Sequence, residues 1–273
     1  KKKITYSQLL KKVSTLAASL SNLGVKKGYT VILYMPMIPE VIISMLACAR
    51  VGAIHSVVFG GFAAEELASR ISDVLPKVII SASCGLEPKR IIDYKEILDK
   101  ALSLTSHKPL KQIIYQREQY LCKVNSENDI SWNEFVDTSS SISCVPVDSN
   151  DPLYILHTSG TTGIPKGIVR TNGGHAVALL NSMKMTYDIS EDDVFWAASD
   201  VGWVVGHSYI VYAPLLLGCS TVLYEGKPVG TPDAGQFWRV ISEYKVKTMF
   251  TAPTAIRAIK KEDADGKELK KYD

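Results

Sequence analysis

The run His157-Thr158-Ser159-Gly160-Thr161-Thr162-Gly163-Ile164-Pro165-Lys166-Gly167 holds the residues of this chain best suited to chemistry. Hydroxyl side chains interleave with glycines, so one loop can offer side-chain donors and bare backbone N–H groups together. Glycine lets a backbone approach an anion closely and adopt positive φ. A concave series of N–H groups is an anion nest, to which Lys166 adds a point charge. This is the chemistry of a loop that grips phosphates. It is not a Walker A motif, which needs four residues between its first Gly and a Gly-Lys-Ser/Thr unit. Here Lys166 follows Pro165 and precedes Gly167. Nor is it Gly-x-Gly-x-x-Gly. The bland alternative is a Ser/Thr/Gly surface hairpin. A short run would favour that reading, and the full eleven residues argue against it.

The elements around the loop must hold it in place. Leu153 to Leu156 leads in and Ile168-Val169 follows, which reads as strand, glycine loop, strand. Upstream, Lys1 to Leu23 has apolar residues at helical spacing and Gly24 as a stop. Thr30 to Met35 reads as a buried strand, Glu40 to Arg50 as a helix and Ala53 to Phe59 as a strand. Strand–helix–strand in about thirty residues is a βαβ unit, which requires a parallel sheet with helices on its faces. The pattern continues with helix Ala63–Val74, strand Val78–Ser81, helix Tyr94–Leu104 and strand Gln112–Tyr115. Past the loop come a helix from Asn172 to about Met185, strand Asp193–Ser199, strand Cys219–Glu225, helix Pro232–Tyr244 and strand Val246–Thr251. The fold class is therefore α/β, with parallel βαβ-type sheets flanked by helices. Residues 1–116 form a first α/β lobe, the polar stretch 117–150 a connecting surface segment, and 151–273 a second lobe carrying the phosphate loop.

Open parallel sheets bind ligands beyond the C-terminal ends of their strands, and three further clusters fall there. Phe59-Gly60-Gly61-Phe62 follows one strand; from chemistry alone it is a tight turn needing positive φ. Asp200 to His207 follows another. Trp203 alone is more often core than function, and a lone histidine such as His207 is more often a satisfied core residue. Thr251-Ala252-Pro253-Thr254 follows a third.

Bulk properties set limits. A chain of 273 residues, 46% hydrophobic, can bury a sizeable core. A formal charge of +3 gives no argument for nucleic acid or a membrane surface. The longest apolar stretch, Val41 to Phe59, is interrupted by Arg50 and His55 and falls short of a clean membrane span. Five cysteines are scattered with no Cys-x-x-Cys pair, which reads as reduced thiols and argues against a Cys/His metal site. No metal ligand is assigned, and no residue pattern specifies an oligomeric state.

Thr158 to Gly167 resembles the phosphate-binding signature of the adenylate-forming superfamily. Ser56 to Phe62, Ser199 to Tyr209, Tyr224-Glu225-Gly226 and Thr251 to Arg257 are similar, in the same order, to the short-chain acyl-CoA synthetases, the acetyl- and propionyl-CoA ligases. The resemblance implies part of that superfamily's large N-terminal domain, with ATP, CoA and Mg2+ as cofactors and small molecules as partners. A carboxylate would attack the α-phosphate of ATP, and the CoA thiol would then displace AMP. The resemblance assigns ATP binding to Thr158, Ser159, Gly160, Thr161, Thr162, Gly163 and Lys166, with Lys166 and Thr161 catalytic. It assigns CoA contacts to Phe59, Gly60, Gly61, Arg90 and Ala252, although Glu87 stands where a second arginine is expected. It assigns the acyl pocket to Trp203, Val204, Val205 and His207. Val205 is the residue of propionyl-type relatives, where acetyl-type ones carry Thr, so propionate is favoured over acetate and the mitochondrial matrix over the cytosol.

The resemblance also places the adenine-binding segment, the Mg2+ motif, the ribose-binding Asp and the C-terminal lysine domain beyond Asp273. The chain is then expected to be a portion with little activity alone. An adenylating enzyme with a non-CoA acceptor and a truncated nucleotide-binding or regulatory protein are the alternatives.

Overall fold

The computed structural model describes residues 1–125, 127–158 and 165–272. The chain divides into two compact units, one of Lys1–Gly85 with Ile91–Gly174, the other of Leu86–Arg90 with His175–Asp273.

The first unit is built on a sheet of seven strands. They are β1 (Thr30–Tyr34), β2 (Ile54–Val57), β3 (Val78–Ala82), β6 (Lys111–Tyr115), β7 (Asp129–Ser131), β8 (Pro152–Thr158) and β9 (Lys166–Thr171), in the order β7-β6-β3-β1-β2-β8-β9. Strands β4 (Cys84–Glu87) and β5 (Arg90–Asp93) form a separate hairpin. All pairs in the large sheet are parallel except β8 with β9. The central strands are apolar on both faces, as a sheet covered by helices on both sides requires: Val31, Ile32, Leu33, Val78, Ile79 and Ile80 are all fully buried. The helices are α1 (Tyr6–Asn22), α2 (Pro39–Val51), α3 (Ala64–Val74), α4 (Tyr94–Ser103), α5 (Trp132–Phe135) and α6 (Asn172–Met185), the last running on into the second unit. Helix α1 begins later than the apolar spacing suggested because Thr5 and Gln8 close a capping box ahead of Tyr6.

The second unit has a parallel three-stranded sheet, β11 (Ser220–Thr221), β10 (Val194–Ala198) and β12 (Val246–Thr251), in that order. Trp196 is its fully buried centre, packed with Phe237 and Val240 of α9 (Gln236–Tyr244) and with Ala255 and Ile259 of α10 (Pro253–Glu262). Between β10 and β11 lie α7 (Val204–Gly206), a π-helical turn His207–Tyr212 and α8 (Ala213–Leu217).

Three sequence readings change. The strand read over Cys219–Glu225 is only two residues long: Ser220 and Thr221 pair with Val194 and Phe195 of β10, and the chain then turns, with the Tyr224 hydroxyl donating to the Thr231 carbonyl. Helical structure over Val204–Leu217 was not legible, since a segment apolar all round has no period. The phosphate-loop hairpin, read as the start of a second lobe at residue 151, is instead the edge of the first sheet; the compact units divide after Gly174. Residues 117–150, read as a surface connection with room for a small helix, do hold the short helix α5 but also contribute β7 to that sheet.

Candidate functional site

In the first unit the ligand-facing edge is where β2 and β8 end side by side. Thr158 closes β8 and Lys166 opens β9, directly opposed in the antiparallel ladder and both exposed. The hairpin mouth thus holds Thr158 and Lys166 a strand spacing apart, about 5 Å. Ser159, Gly160, Thr161, Thr162 and Gly163 lie outside the described residues.

The turn after β2 leaves the same edge. Phe59 and Phe62 meet edge to face at 5.6 Å, and Phe62 N–H donates to the Phe59 carbonyl. Neither Gly60 nor Gly61 has the positive φ expected of this turn. The turn needs glycine for close approach instead. A Cβ on Gly60 would lie 1.8 Å from the Tyr94 hydroxyl, and one on Gly61 2.3 Å from the Phe59 ring. Tyr94 opens α4 and stacks on Tyr34 with ring centroids 4.7 Å apart. Sequence reasoning missed Tyr94, whose only signal is an aromatic at the head of a helix.

In the second unit, β10 and β12 end together, with Thr251 Oγ1 donating to the Ala198 carbonyl at 3.2 Å. Trp203, Val204 and Ala252 therefore share one edge, and all three are exposed; Val205 is half-buried. The Asp200–His207 turn is tied to itself. Gly202 N–H donates to Asp200 Oδ1 at 2.8 Å, Trp203 N–H to the Asp200 carbonyl at 3.0 Å, and His207 N–H to the Trp203 carbonyl at 2.8 Å. Burial pushes the Asp200 carboxyl up from its ordinary range, opposed by the Gly202 N–H and the charge of Lys227.

His207 does not join the exposed face. It is fully buried, its Nδ1 lies 3.0 Å from the Val201 carbonyl, and burial lowers its imidazole to about 3. That is the environment of a neutral core histidine donating from Nδ1. Arg90 sits at the tip of the β4–β5 hairpin with an exposed side chain, but its Nε is 2.9 Å from Glu87 Oε2. Among the described residues no three His, Cys, Asp or Glu side chains converge as metal ligands, and no helix is long and apolar enough to cross a membrane. None of the five cysteines forms a disulfide.

Parallel α/β sheets with glycine turns beyond their strand ends define a class of protein that takes ligands at those ends. The family model for AMP-binding enzymes matches residues 1–273, and the chain belongs to that family. It is 54% identical, over 98% of its length, to the mitochondrial acyl-CoA synthetase short-chain family member 3 of Rattus norvegicus, covering 40% of that protein. It is 47% identical, over 94% of its length, to the propionate–CoA ligase of Salmonella typhimurium, covering 41% of it. The structure superposes on acetoacetyl-CoA synthetase from Streptomyces lividans with a TM-score of 0.86 at 25% identity, over 95% of this chain and 39% of that one. The chain thus spans about two fifths of the relatives it matches.

Proposed function

We propose that this chain is the phosphate- and acyl-binding part of an AMP-forming acid–thiol ligase that joins a short-chain carboxylate to CoA, with propionate favoured and acetate accepted. The observation that carries the reading is the exposed Thr158–Lys166 hairpin mouth, set on a chain 47% identical to a propionate–CoA ligase. A carboxylate oxygen attacks the α-phosphorus of ATP and pyrophosphate leaves; the CoA thiol then attacks the acyl carbonyl and AMP leaves. Such reactions are accelerated mainly by positioning and charge stabilisation. Lys166, Thr158 and the hydroxyls and N–H groups of Ser159 to Gly163, Thr161 among them, hold the β- and γ-phosphates and stabilise the leaving pyrophosphate. Mg2+ bound with ATP would supply further neutralisation of the same charge. Trp203, Val204 and Val205 shape a short apolar pocket, where one methylene is worth about 1–3 kcal/mol in discrimination. In the second unit Ala252, small and exposed, leaves room for a pantetheine arm and Arg90 is a candidate contact for CoA phosphate; in the first unit Phe59, Gly60 and Gly61 are candidate contacts for its nucleotide end. The matrix of mitochondria is the favoured compartment, tested by fractionation.

A second reading, an adenylating enzyme with a different acceptor, is favoured by one observation: Glu87 already neutralises Arg90. Acyl-CoA formation from ATP, CoA and propionate or acetate separates the two. The assay is run on this chain and on a protein extended to the relatives' length. The ligase reading expects activity in the extended protein, propionate preferred, with kcat reduced about a hundredfold or more in Lys166→Ala. Adenylate formation without thioester would favour the second reading. Activity in neither protein would overturn both and favour a non-enzymatic nucleotide-binding role.

A further inference from the structure

A hydrogen bond between a buried histidine and a carboxylate that is 57% exposed stands at the root of the β8–β9 hairpin and has no part in the chemistry above. His157, the residue before Thr158, lies opposite Gly167. Its side chain is 3% exposed, and Nε2 is 2.8 Å from Oδ2 of Asp73, in the last turn of α3. The carboxylate accepts, so Nε2 carries the hydrogen. A Cβ on Gly167 would sit 3.2 Å from Asp73 Oδ2, 3.3 Å from His157 Nε2 and 2.9 Å from Ile155 Cγ2. The Asp73–His157 bond therefore lies close over the bare backbone of Gly167, one residue from Lys166.

Packing explains why such a bond would matter. Strand β9 stands at the end of its sheet and, among the described residues, pairs with β8 alone. Lys166 to Arg170 are all exposed, so apolar burial does little to hold that strand. Strand β8 buries Leu153, Tyr154 and Leu156. An edge strand with few buried contacts belongs to the low-stability end of a fold. Asp73 reaches from a helix packed on the sheet by Leu67, Ile71 and Val74 to the level of His157 and Gly167, one position before the Thr158–Lys166 pair.

We propose that Asp73 and His157 are a positioning pair that sets the hairpin mouth, and through Thr158 and Lys166 its affinity for the polyphosphate of the nucleotide. The proposal rests on the phosphate-binding reading of that hairpin. The pair acts through the backbone of β8 and β9.

The test is titration of the protein with inorganic tripolyphosphate and Mg2+, alongside the backbone amide resonances of Thr158 and Lys166 without ligand. Loss of Asp73 deletes a negative charge beside an anion site, which by electrostatics alone would tighten binding. Positioning demands the opposite. Asp73→Ala is expected to weaken binding about tenfold and to shift both amides, while Asp73→Asn, which keeps an acceptor oxygen, stays within about threefold of the parent. His157→Phe, similar in size but without the donor, is expected to match Asp73→Ala. Equal or tighter binding by Asp73→Ala, or unmoved amides, would overturn the proposal. Failure of the parent protein to bind tripolyphosphate would instead count against the phosphate-binding reading, with the amide shifts still deciding whether the pair sets the hairpin.

Discussion

Arg90 shows how one neighbour can alter what a residue offers. Its guanidinium is exposed, as an anion-binding group should be, yet Glu87 three residues earlier holds it at 2.9 Å. An exposed pair of this kind is worth at most about 1 kcal/mol. Breaking it should therefore change ligand affinity modestly. In the ligase assay, Glu87→Gln is expected to lower KM for CoA up to about fivefold with kcat unchanged; an unaltered KM would remove Arg90 from the CoA contacts. Asp200 is a different case. Its carboxyl is pushed up by burial, so the charged form destabilises the folded state at neutral pH. Asp200→Asn keeps an acceptor for the Gly202 N–H. Its melting temperature is expected to exceed the parent's at pH 7, with the advantage shrinking as pH falls and the parent carboxyl takes up its proton.

Among the elements, Val204–Leu217 governs the acyl side of the proposed site. A π-helical turn within it is a recurrent feature of functional segments. The segment is locked at Gly206, where a Cβ would lie 2.0 Å from the Asp200 carbonyl oxygen and 2.9 Å from Val201 N. Those are backbone atoms with no rotamer in which to yield. Gly206→Ala is accordingly expected to cost about 3 kcal/mol in chemical denaturation. A variant as stable as the parent would show that the Asp200–His207 turn is slack. Strand β9 stands at the other extreme, exposed along its length and held by β8 on one side.

For the whole molecule, the buried histidine sets how stability responds to acid. His207 titrates at about 3 in the folded protein against 6.5 for the free side chain. Between those values the unfolded chain binds a proton that the folded one refuses, so the contribution of this group is fully present above pH 6.5 and is lost as pH drops toward 3. The slope from this group is at most about 1.4 kcal/mol per pH unit. Tryptophan fluorescence reports mainly on the second unit, where Trp196, Trp203 and Trp238 lie. Melting temperatures read this way are expected to fall from pH 6.5 to pH 4 in the parent and to fall less steeply in His207→Gln. Equal slopes would place the acid sensitivity elsewhere.

Much of this protein was legible one residue after another. The alternation of apolar runs and helical spacing from Thr30 to Tyr115 dictated a parallel α/β sheet, and β1, α2, β2, α3, β3, α4 and β6 formed close to where those periods placed them. The pairing of two strands either side of the glycine run was legible too, because Leu153–Leu156 and Ile168–Val169 are short apolar runs set close together in sequence. What escaped the sequence was contact across long separations. That Gly60 is bare because Tyr94 lies over it, that His207 turns inward, and that Asp73 reaches His157 across 84 positions depend on which strands lie side by side. Period and turn chemistry are properties of a few neighbouring residues, whereas the surroundings of a side chain are set by sheet order, and β2 meets β8 only after nearly a hundred residues have folded between them.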